Sequence, residues 1–295
     1  MPVGMAFQGL YINLDRSESR RVSLLQHFAA CGVDARSYYR LSAVEPRGDE
    51  PELQRGLKSR GELGIWQSMI LALETIASGD FAPVVHLIED DIRLAPWAPQ
   101  GLGGLQTLMQ TNAGMEPVDV VFLDYFMNAA LCQAVVSSPA YSHEPIGGGL
   151  SFLPGNAYLA SLSSMLVRRS SAAYLAQVLR RALNTMQPLI PVDNALRGLI
   201  RAGAVNALLV APTFSAFSWE EDEASTIQVT LPDGVRDSQR AHLLLRILAA
   251  GLETPQWCAE RMVGIYGMPH CLHQGATMQE FLGYFSQHVE QMARF

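Results

Sequence analysis

The sequence predicts an α/β fold in which a mostly parallel sheet carries helices on both faces. Apolar, β-branched runs that are typical of buried strands alternate along the chain with segments whose apolar residues recur at helical spacing. This alternation stops near residue 233, and the remaining sequence has a helical pattern only. We therefore expect a sheet-containing domain over residues 1–232 and a helical C-terminal extension over residues 233–295.

The first half of the chain gives the clearest local signals. Residues 10–14 form a short apolar run, and Gly32 ends a helical pattern that starts at Ser17. Ser59 and Glu62 have the spacing of a capping box, which predicts a helix that continues to Gly79. A strand then follows over residues 84–88. We interpret the opening of the chain as strand, helix, helix, strand.

The second half continues the alternation as far as residue 211. Residues 118–123 and 207–211 have the composition of buried strands, and residues 156–161 are assigned to a short strand. Helical spacing covers residues 170–183 and 193–202, and in the extension residues 242–250 and 278–293. The apolar stripe within 243–248 predicts core packing or a contact between two copies of the chain, so a homodimer is an open alternative.

Composition limits the classes of function. The 295 residues are 49% hydrophobic and 17% charged, which is enough apolar material for a substantial core. A net charge of −7 argues against a nucleic-acid partner, because no broad basic surface is available to displace phosphate counterions. The first residues resemble neither a signal peptide nor a membrane span, and the four cysteines show no framework spacing. We expect a cytoplasmic protein with reduced thiols.

Three consecutive acids, Glu89, Asp90 and Asp91, end the buried strand at residues 84–88. Ligands of open α/β sheets lie outside the carboxyl ends of strands, and alternation would place Glu89 and Asp91 on one face with Asp90 on the other. Two carboxylates on one face repel each other unless a cation lies between them, and Mg²⁺ or Mn²⁺ bound to a diphosphate would suit oxygen ligands. We predict Glu89 and Asp91 as metal ligands and Asp90 as a nucleotide contact. A solvated acidic turn is the alternative.

Polar and basic residues follow the first predicted strand, where a helix begins. Backbone amides and the dipole at a helix N-terminus already favour anions. This placement predicts phosphate or nucleotide binding, with a solvated basic helix face as the alternative. The candidate residues are Asn13, Asp15, Arg16, Arg20 and Arg21.

Five separated pieces of sequence resemble, in order and spacing, the family 25 glycosyltransferases. The family comprises sugar transferases of lipooligosaccharide biosynthesis, with relatives that galactosylate collagen. The pieces span most of residues 8–230. They are YINLDRSESRR (11–21), RGELGIWQSM (60–69), VHLIEDDIRL (85–94), GNAYLASLSS (155–164) and PVDNAL (191–196).

The resemblance implies a Rossmann-like GT-A fold with a mixed, mostly parallel sheet. It also implies transfer of a hexose such as galactose, with inversion, from a nucleotide-diphosphate sugar such as a UDP-sugar to an acceptor hydroxyl. The acceptor would be a glycan, a lipid-linked molecule or a peptide, which allows a location at the inner membrane face as well as in the cytoplasm. Glu89-Asp90-Asp91 would take the place of the Asp-x-Asp motif and bind Mn²⁺ or Mg²⁺.

An inverting transferase needs a base for the acceptor hydroxyl, and Asp193 is the first candidate. Asp193 matches the Pro-x-Asp of the family and stands at a predicted N-cap, a position that Asp favours for purely structural reasons. The reserve candidates are Asp124, His143 and Glu144.

One departure from the family lies at Ser68-Met69, where relatives often have Ser-His. Loss of that His implies a changed acceptor or a loss of activity. Two alternatives to a transferase therefore stay open: a glycosyltransferase-like binding protein without turnover, and a metal-dependent nucleotidyltransferase.

Overall fold

A computed structural model describes residues 6–136, 149–219, 233–266, 280–283 and 285. Seven strands form one sheet in the order β2-β1-β3-β7-β5-β8-β6, and β4 and β9 form a separate antiparallel pair. The predicted α/β class is confirmed. The strands are β1 (Phe7–Asn13), β2 (Tyr38–Ser42), β3 (Phe81–Glu89), β4 (Ile92–Leu94), β5 (Val120–Phe122), β6 (Ser151–Pro154), β7 (Ser164–Arg168), β8 (Ala207–Ala211) and β9 (Ser215–Phe217).

Strand direction determines where a site can form. In the large sheet β1, β2, β3, β5 and β8 run one way, whereas β6 and β7 run the other way. The expectation of a mixed, mostly parallel sheet is therefore confirmed. β3 lies between parallel β1 and antiparallel β7. Five carboxyl ends and the start of β7 meet at one edge.

Eight helices with assigned bounds accompany the sheet within the described residues. The predicted cap of α2 is confirmed at Ser59, whose Oγ accepts the Glu62 N–H (3.2 Å); the reciprocal bond differs from a capping box, because Glu62 Oε2 accepts the N–H of Lys58 (2.6 Å) and not that of Ser59. Gly32, at a φ of 75°, ends α1 as predicted. The helices are α1 (Glu18–Cys31), α2 (Arg60–Ser78), α3 (Ala98–Thr111), α4 (Ala129–Val136), α5 (Arg169–Thr185), α6 (Val192–Arg201), α7 (Asp233–Ala249) and α8 (Pro255–Tyr266).

The predicted strand over residues 156–161 is wrong. Residues 155–157 form a 3₁₀ turn and an irregular segment follows, while the strands β6 and β7 lie on either side. Tertiary contacts hold this segment in place. Buried Tyr158 stacks on Phe122 (4.1 Å between ring centroids) and donates to the Ser161 carbonyl (2.8 Å). The segment therefore reaches the carboxyl edge of the sheet as a loop.

The C-terminal helices pack on the same apolar core as the sheet. Leu243, Leu244, Ile247 and Leu248 of α7 are buried within the chain, which favours core packing over a contact between copies. The domain boundary at 232/233 and the homodimer stay predictions. Most of the predicted helix at 278–293 lies outside the described residues. Among those that are described, no helix is long and apolar enough to cross a membrane.

Candidate active site

A cavity of about 800 Å³ opens at the carboxyl edge of the large sheet. Its walls come from the turn after β1, the start of α2, the turn after β3, the loop before β7, the first turn of α6 and one face of α7. Six carboxylates, four arginines and a lysine line it among the described residues, in addition to apolar side chains. They are Glu45, Glu62, Glu89, Asp90, Asp91, Asp193, Arg16, Arg20, Arg60, Arg246 and Lys58.

Asp90 and Asp91 also border a second cavity of about 290 Å³, which His27 and Arg93 line from the other side. His27 Nε2 accepts the Leu94 N–H at 2.7 Å and so holds β4 in place. Among the described residues, Asp90 and Asp91 are the only carboxylates that line the smaller cavity. In the larger cavity, Asp193 lies together with Glu89, Asp90 and Asp91, which we call the acidic turn. The larger cavity is therefore the candidate active site.

The acidic residues do not alternate in the way that a continuous strand would require. β3 ends at Glu89, Asp90 and Asp91 form a two-residue turn, and β4 begins at Ile92. Both turn carboxylates approach Arg20 Nη1, Asp90 Oδ1 at 3.6 Å and Asp91 Oδ2 at 3.3 Å. The expectation that Asp90 points away from Asp91 is wrong, because strand alternation stops where the turn begins.

Burial raises the pKa values of the acidic residues at the end of β3. Burial, together with the charges of Asp91 and Asp90, raises the pKa of Glu89 to about 8. Burial also raises the pKa of Asp91 to about 7, against the opposing charge of Arg20. The raised pKa values mean that nearby arginines only partly offset the cost of burying negative charge, and a bound cation would favour the ionised forms of Glu89 and Asp91.

The donor set fits a divalent metal that also binds a phosphate. Asp91 Oδ1 is buried and has no hydrogen-bond partner among the described residues. Within those residues, no group of three or more His, Cys, Asp or Glu side chains is arranged to hold a metal. Mg²⁺ commonly takes one or two carboxylates and completes its shell with substrate phosphates and water, so Glu89 and Asp91 suit a metal that arrives with a diphosphate.

Asn13 connects the first strand to the acidic turn. Its side chain is buried, and Nδ2 donates to Asp90 Oδ2 (2.6 Å) and to the Ser17 carbonyl (3.0 Å). Its Oδ1 accepts from Arg40 Nε at 3.0 Å. Asn13 therefore lies behind Asp90, where it fixes the turn relative to the start of α1.

The other candidate residues, which lie in the turn after β1 and in the first part of α1, divide into two groups. Arg16 and Arg20 line the cavity, and Arg16 forms a half-exposed ion pair with Glu45 at 3.2 Å. Asp15 and Arg21 are not among the cavity-lining residues. Asp15 accepts hydrogen bonds from Ser42 (2.8 Å) and Arg40 (2.6 Å), which lower its pKa, and Arg21 pairs with Glu18 on its own helix (3.3 Å).

Asp193 lies in the first turn of α6, and the predicted N-cap position is wrong. The N-cap is Pro191, and Asp193 Oδ1 accepts the N–H of the adjacent Asn194 at 2.7 Å. The side chain is partly exposed and lines the cavity, and its charge contributes to the raised pKa of Glu89. Asp193 is thus brought to the same space as the acidic turn.

Asp124 is unsuited to the role of a base. Its side chain is 0% exposed and accepts from Arg246 through both carboxylate oxygens and from Ser163 Oγ at 2.6 Å. The remaining reserve candidates, His143 and Glu144, lie outside the described residues.

The chain matches no protein-family model and no curated protein sequence. The family 25 resemblance therefore stays a prediction. The arrangement of charged side chains around the cavity provides evidence on function that does not depend on this resemblance.

Met69 lines the cavity, and the predicted resemblance to family 25 would align it with the family's His. The neighbouring Ser68 is buried, and its Oγ accepts the Val44 N–H at 2.8 Å. The candidate site therefore contains a thioether, which does not titrate, at this position.

Arg246 is a buried charged residue of the site that the sequence patterns did not reveal. It is buried on α7, more than 120 residues after the Asp124 that it contacts. A single Arg within the apolar run 243–249 is the local signal that could have identified it, because a buried charge needs a partner.

Proposed function

We propose that the protein is a metal-dependent glycosyltransferase that moves a hexose such as galactose from a nucleotide-diphosphate sugar to an acceptor hydroxyl. One observation carries the proposal: Glu89 and Asp91, both with raised pKa, share with Asp193 a cavity at the carboxyl edge of the sheet. Its volume of about 800 Å³ lies within the range of sites for small molecules and cofactors.

The donor diphosphate would lie against the turn between β3 and β4. Glu89 and Asp91 would hold Mn²⁺ or Mg²⁺, which when bound neutralises the leaving diphosphate and orients it. Arg16 contributes a guanidinium to the cavity wall, and Arg20 steadies Asp90 and Asp91. The turn after β1 would therefore face the nucleotide half of a UDP-sugar.

Asp193 would accept the proton of the acceptor hydroxyl. The Asn194 N–H steadies one of its carboxylate oxygens, and the position in the first turn of α6 favours negative charge through the helix dipole. A carboxylate in this position would take up the proton as the hydroxyl oxygen attacks the sugar. The acceptor would be a glycan, a lipid-linked molecule or a peptide, reached from the cytoplasm or the inner membrane face.

Met69 favours one alternative, a binding protein that has kept the fold and lost turnover. If the His of the family assists transfer, a methionine in the same cavity would leave nucleotide-sugar binding intact and remove the reaction. This alternative predicts binding without product release.

The experiment incubates the protein with Mn²⁺ and single UDP-sugars and identifies the released nucleotide. A glycosyltransferase releases UDP, slowly to water and faster when acceptor is present. Release of UDP by the wild type and not by Asp91→Asn would support the proposal. Release of sugar 1-phosphate, the group that leaves when the uridylyl group of a UDP-sugar is transferred, would indicate a nucleotidyltransferase, and binding without any release would indicate the binding protein.

A further inference from the structure

Helix α7 turns one face toward the cavity. Gln239, Leu243 and Arg246 all line it, and their spacing of four and three residues places them along one side of the helix. The predicted C-terminal extension therefore supplies a wall of the candidate site. Arg246 is the residue on this face that reaches the sheet.

Arg246 connects the ends of two adjacent strands. Its Nε donates to Asp124 Oδ1 at 2.9 Å, and its Nη2 donates to Asp124 Oδ2 and to Ser161 Oγ at 2.9 Å. Ser163 Oγ also donates to Asp124 Oδ2. Asp124 follows β5 and Ser163 precedes β7, so one buried ion pair holds the β5 end, the β7 start and α7 together.

The segment that this pair holds has an unusual backbone. Ser161 has a φ of 89°, in the left-handed region that a non-glycine residue rarely adopts, and among described non-glycine residues it is alone in this. Residues 160–162 all line the cavity. A conformation of this kind persists only where its surroundings fix it, and the bond from Arg246 to Ser161 Oγ is part of that restraint.

The position of the segment indicates which part of a donor it would meet. In the sheet, β7 and β5 lie on one side of β3, whereas β1 and β2 lie on the other. With a diphosphate at the end of β3 and a nucleoside toward β1, the sugar would extend toward residues 160–162.

We propose that Arg246 and Asp124 are a positioning pair that fixes residues 160–162 against the sugar half of the donor and so determines how well a given hexose fits. The inference rests on the proposed function. A buried ion pair is weak evidence for a role in stability, since apolar residues often replace such pairs without loss. Its contacts to the strained segment instead make it a means of shaping the cavity.

The test compares Arg246→Lys with the matched control Arg261→Lys, which alters an arginine that stacks on Trp257 outside the cavity lining. Calorimetry with Mn²⁺ gives the dissociation constants of UDP and of UDP-galactose, and hydrolysis of UDP-galactose gives turnover. Lys keeps the charge and loses the two-pronged geometry. We expect Arg246→Lys to bind UDP within about twofold of wild type and to lose about 100-fold in turnover, because small misplacements carry penalties of this size.

Three outcomes would overturn the positioning role: an equal loss of UDP and UDP-galactose affinity, unchanged turnover, or the same loss in Arg261→Lys. Should Arg246→Lys fail to fold, Ser161→Ala provides the same test, since it removes only the hydroxyl that Arg246 contacts. It should keep the melting temperature and UDP affinity while turnover falls, and unchanged turnover would overturn the inference. A wild type that binds no UDP would instead refute the proposed function itself.

Discussion

Asp91 differs from Asp90 in how its oxygens are used. Both oxygens of Asp90 have partners, Oδ2 in Asn13 and Oδ1 in Arg20, whereas Asp91 Oδ1 has no partner among the described residues. Asp91 is therefore the better placed of the two to bind a metal. Its role follows from this unused oxygen rather than from strand alternation.

We predict that Asp91→Asn lowers Mn²⁺-dependent UDP affinity by about tenfold or more, because the charge of the ligand set tunes metal affinity over decades. Asp90→Asn should have a smaller effect. Isothermal titration with both variants checks this, and equal losses would contradict the distinction between the two acids. Circular dichroism should show that both variants are folded.

Arg16→Ala should weaken UDP binding by about 1–3 kcal/mol through loss of a charge-assisted contact. Arg16 also pairs with half-exposed Glu45, which lines the same cavity, so Glu45→Gln is the control for loss of that ion pair. The control should bind UDP with unchanged affinity. If both variants lose affinity equally, Arg16 acts through the Glu45 pair rather than through the nucleotide.

At the scale of elements, α6 presents Asp193 to the cavity from its first turn. Asp193→Asn keeps an acceptor for the Asn194 N–H, so melting temperature and donor affinity should hold while turnover falls about 10²-fold or more. Asp193→Ala should in addition lose ~1 kcal/mol of stability, because it also removes the acceptor of the Asn194 N–H. Near-wild-type turnover of the Asn variant would contradict the role of base.

Elements with local signals were predictable, and those set by tertiary contacts were not. Gly32 and the Ser59 cap determine helix ends through their immediate neighbours. The segment 156–161 has the pattern of a strand, yet its shape follows from the stacking of Tyr158 on Phe122. Local patterns cannot show such contacts.

The site residues also differ in whether local sequence or tertiary contacts reveal them. The acids and Asp193 were identified because motif spacing and strand ends mark them in sequence, and they line one cavity. Asp15 in the turn after β1 and Arg21 on α1 lie close in sequence to Arg16 but are engaged away from the cavity lining. Arg246 was missed, because its partner Asp124 is distant in the chain and no local signal connects them.

At the scale of the whole molecule, the buried Glu89 should make the stability of the folded protein depend on pH. The folded protein raises the pKa of Glu89 from 4.5 to about 8, so Glu89 binds its proton more tightly when folded than when unfolded. Its contribution is fully present below about pH 4.5 and is lost as pH rises through about 8.

Glu89→Gln isolates this contribution, because glutamine resembles the protonated acid at every pH. In a metal-free buffer with chelator, the melting temperature of Glu89→Gln minus that of wild type should grow from about pH 4.5 to about pH 8 and then level off. Parallel melting curves across this range would contradict the raised pKa. Added Mn²⁺ should reduce the difference at pH 8 by stabilising the wild type.

The central claim is that Glu89 and Asp91 form a metal-dependent site for a nucleotide diphosphate. Its most direct test is calorimetric titration of the wild-type protein with UDP, in Mn²⁺ and in chelator, with Asp91→Asn alongside. We predict UDP binding that requires Mn²⁺ in the wild type and is lost in the variant. UDP affinity that is the same with and without Mn²⁺, or the same in both proteins, would contradict the claim.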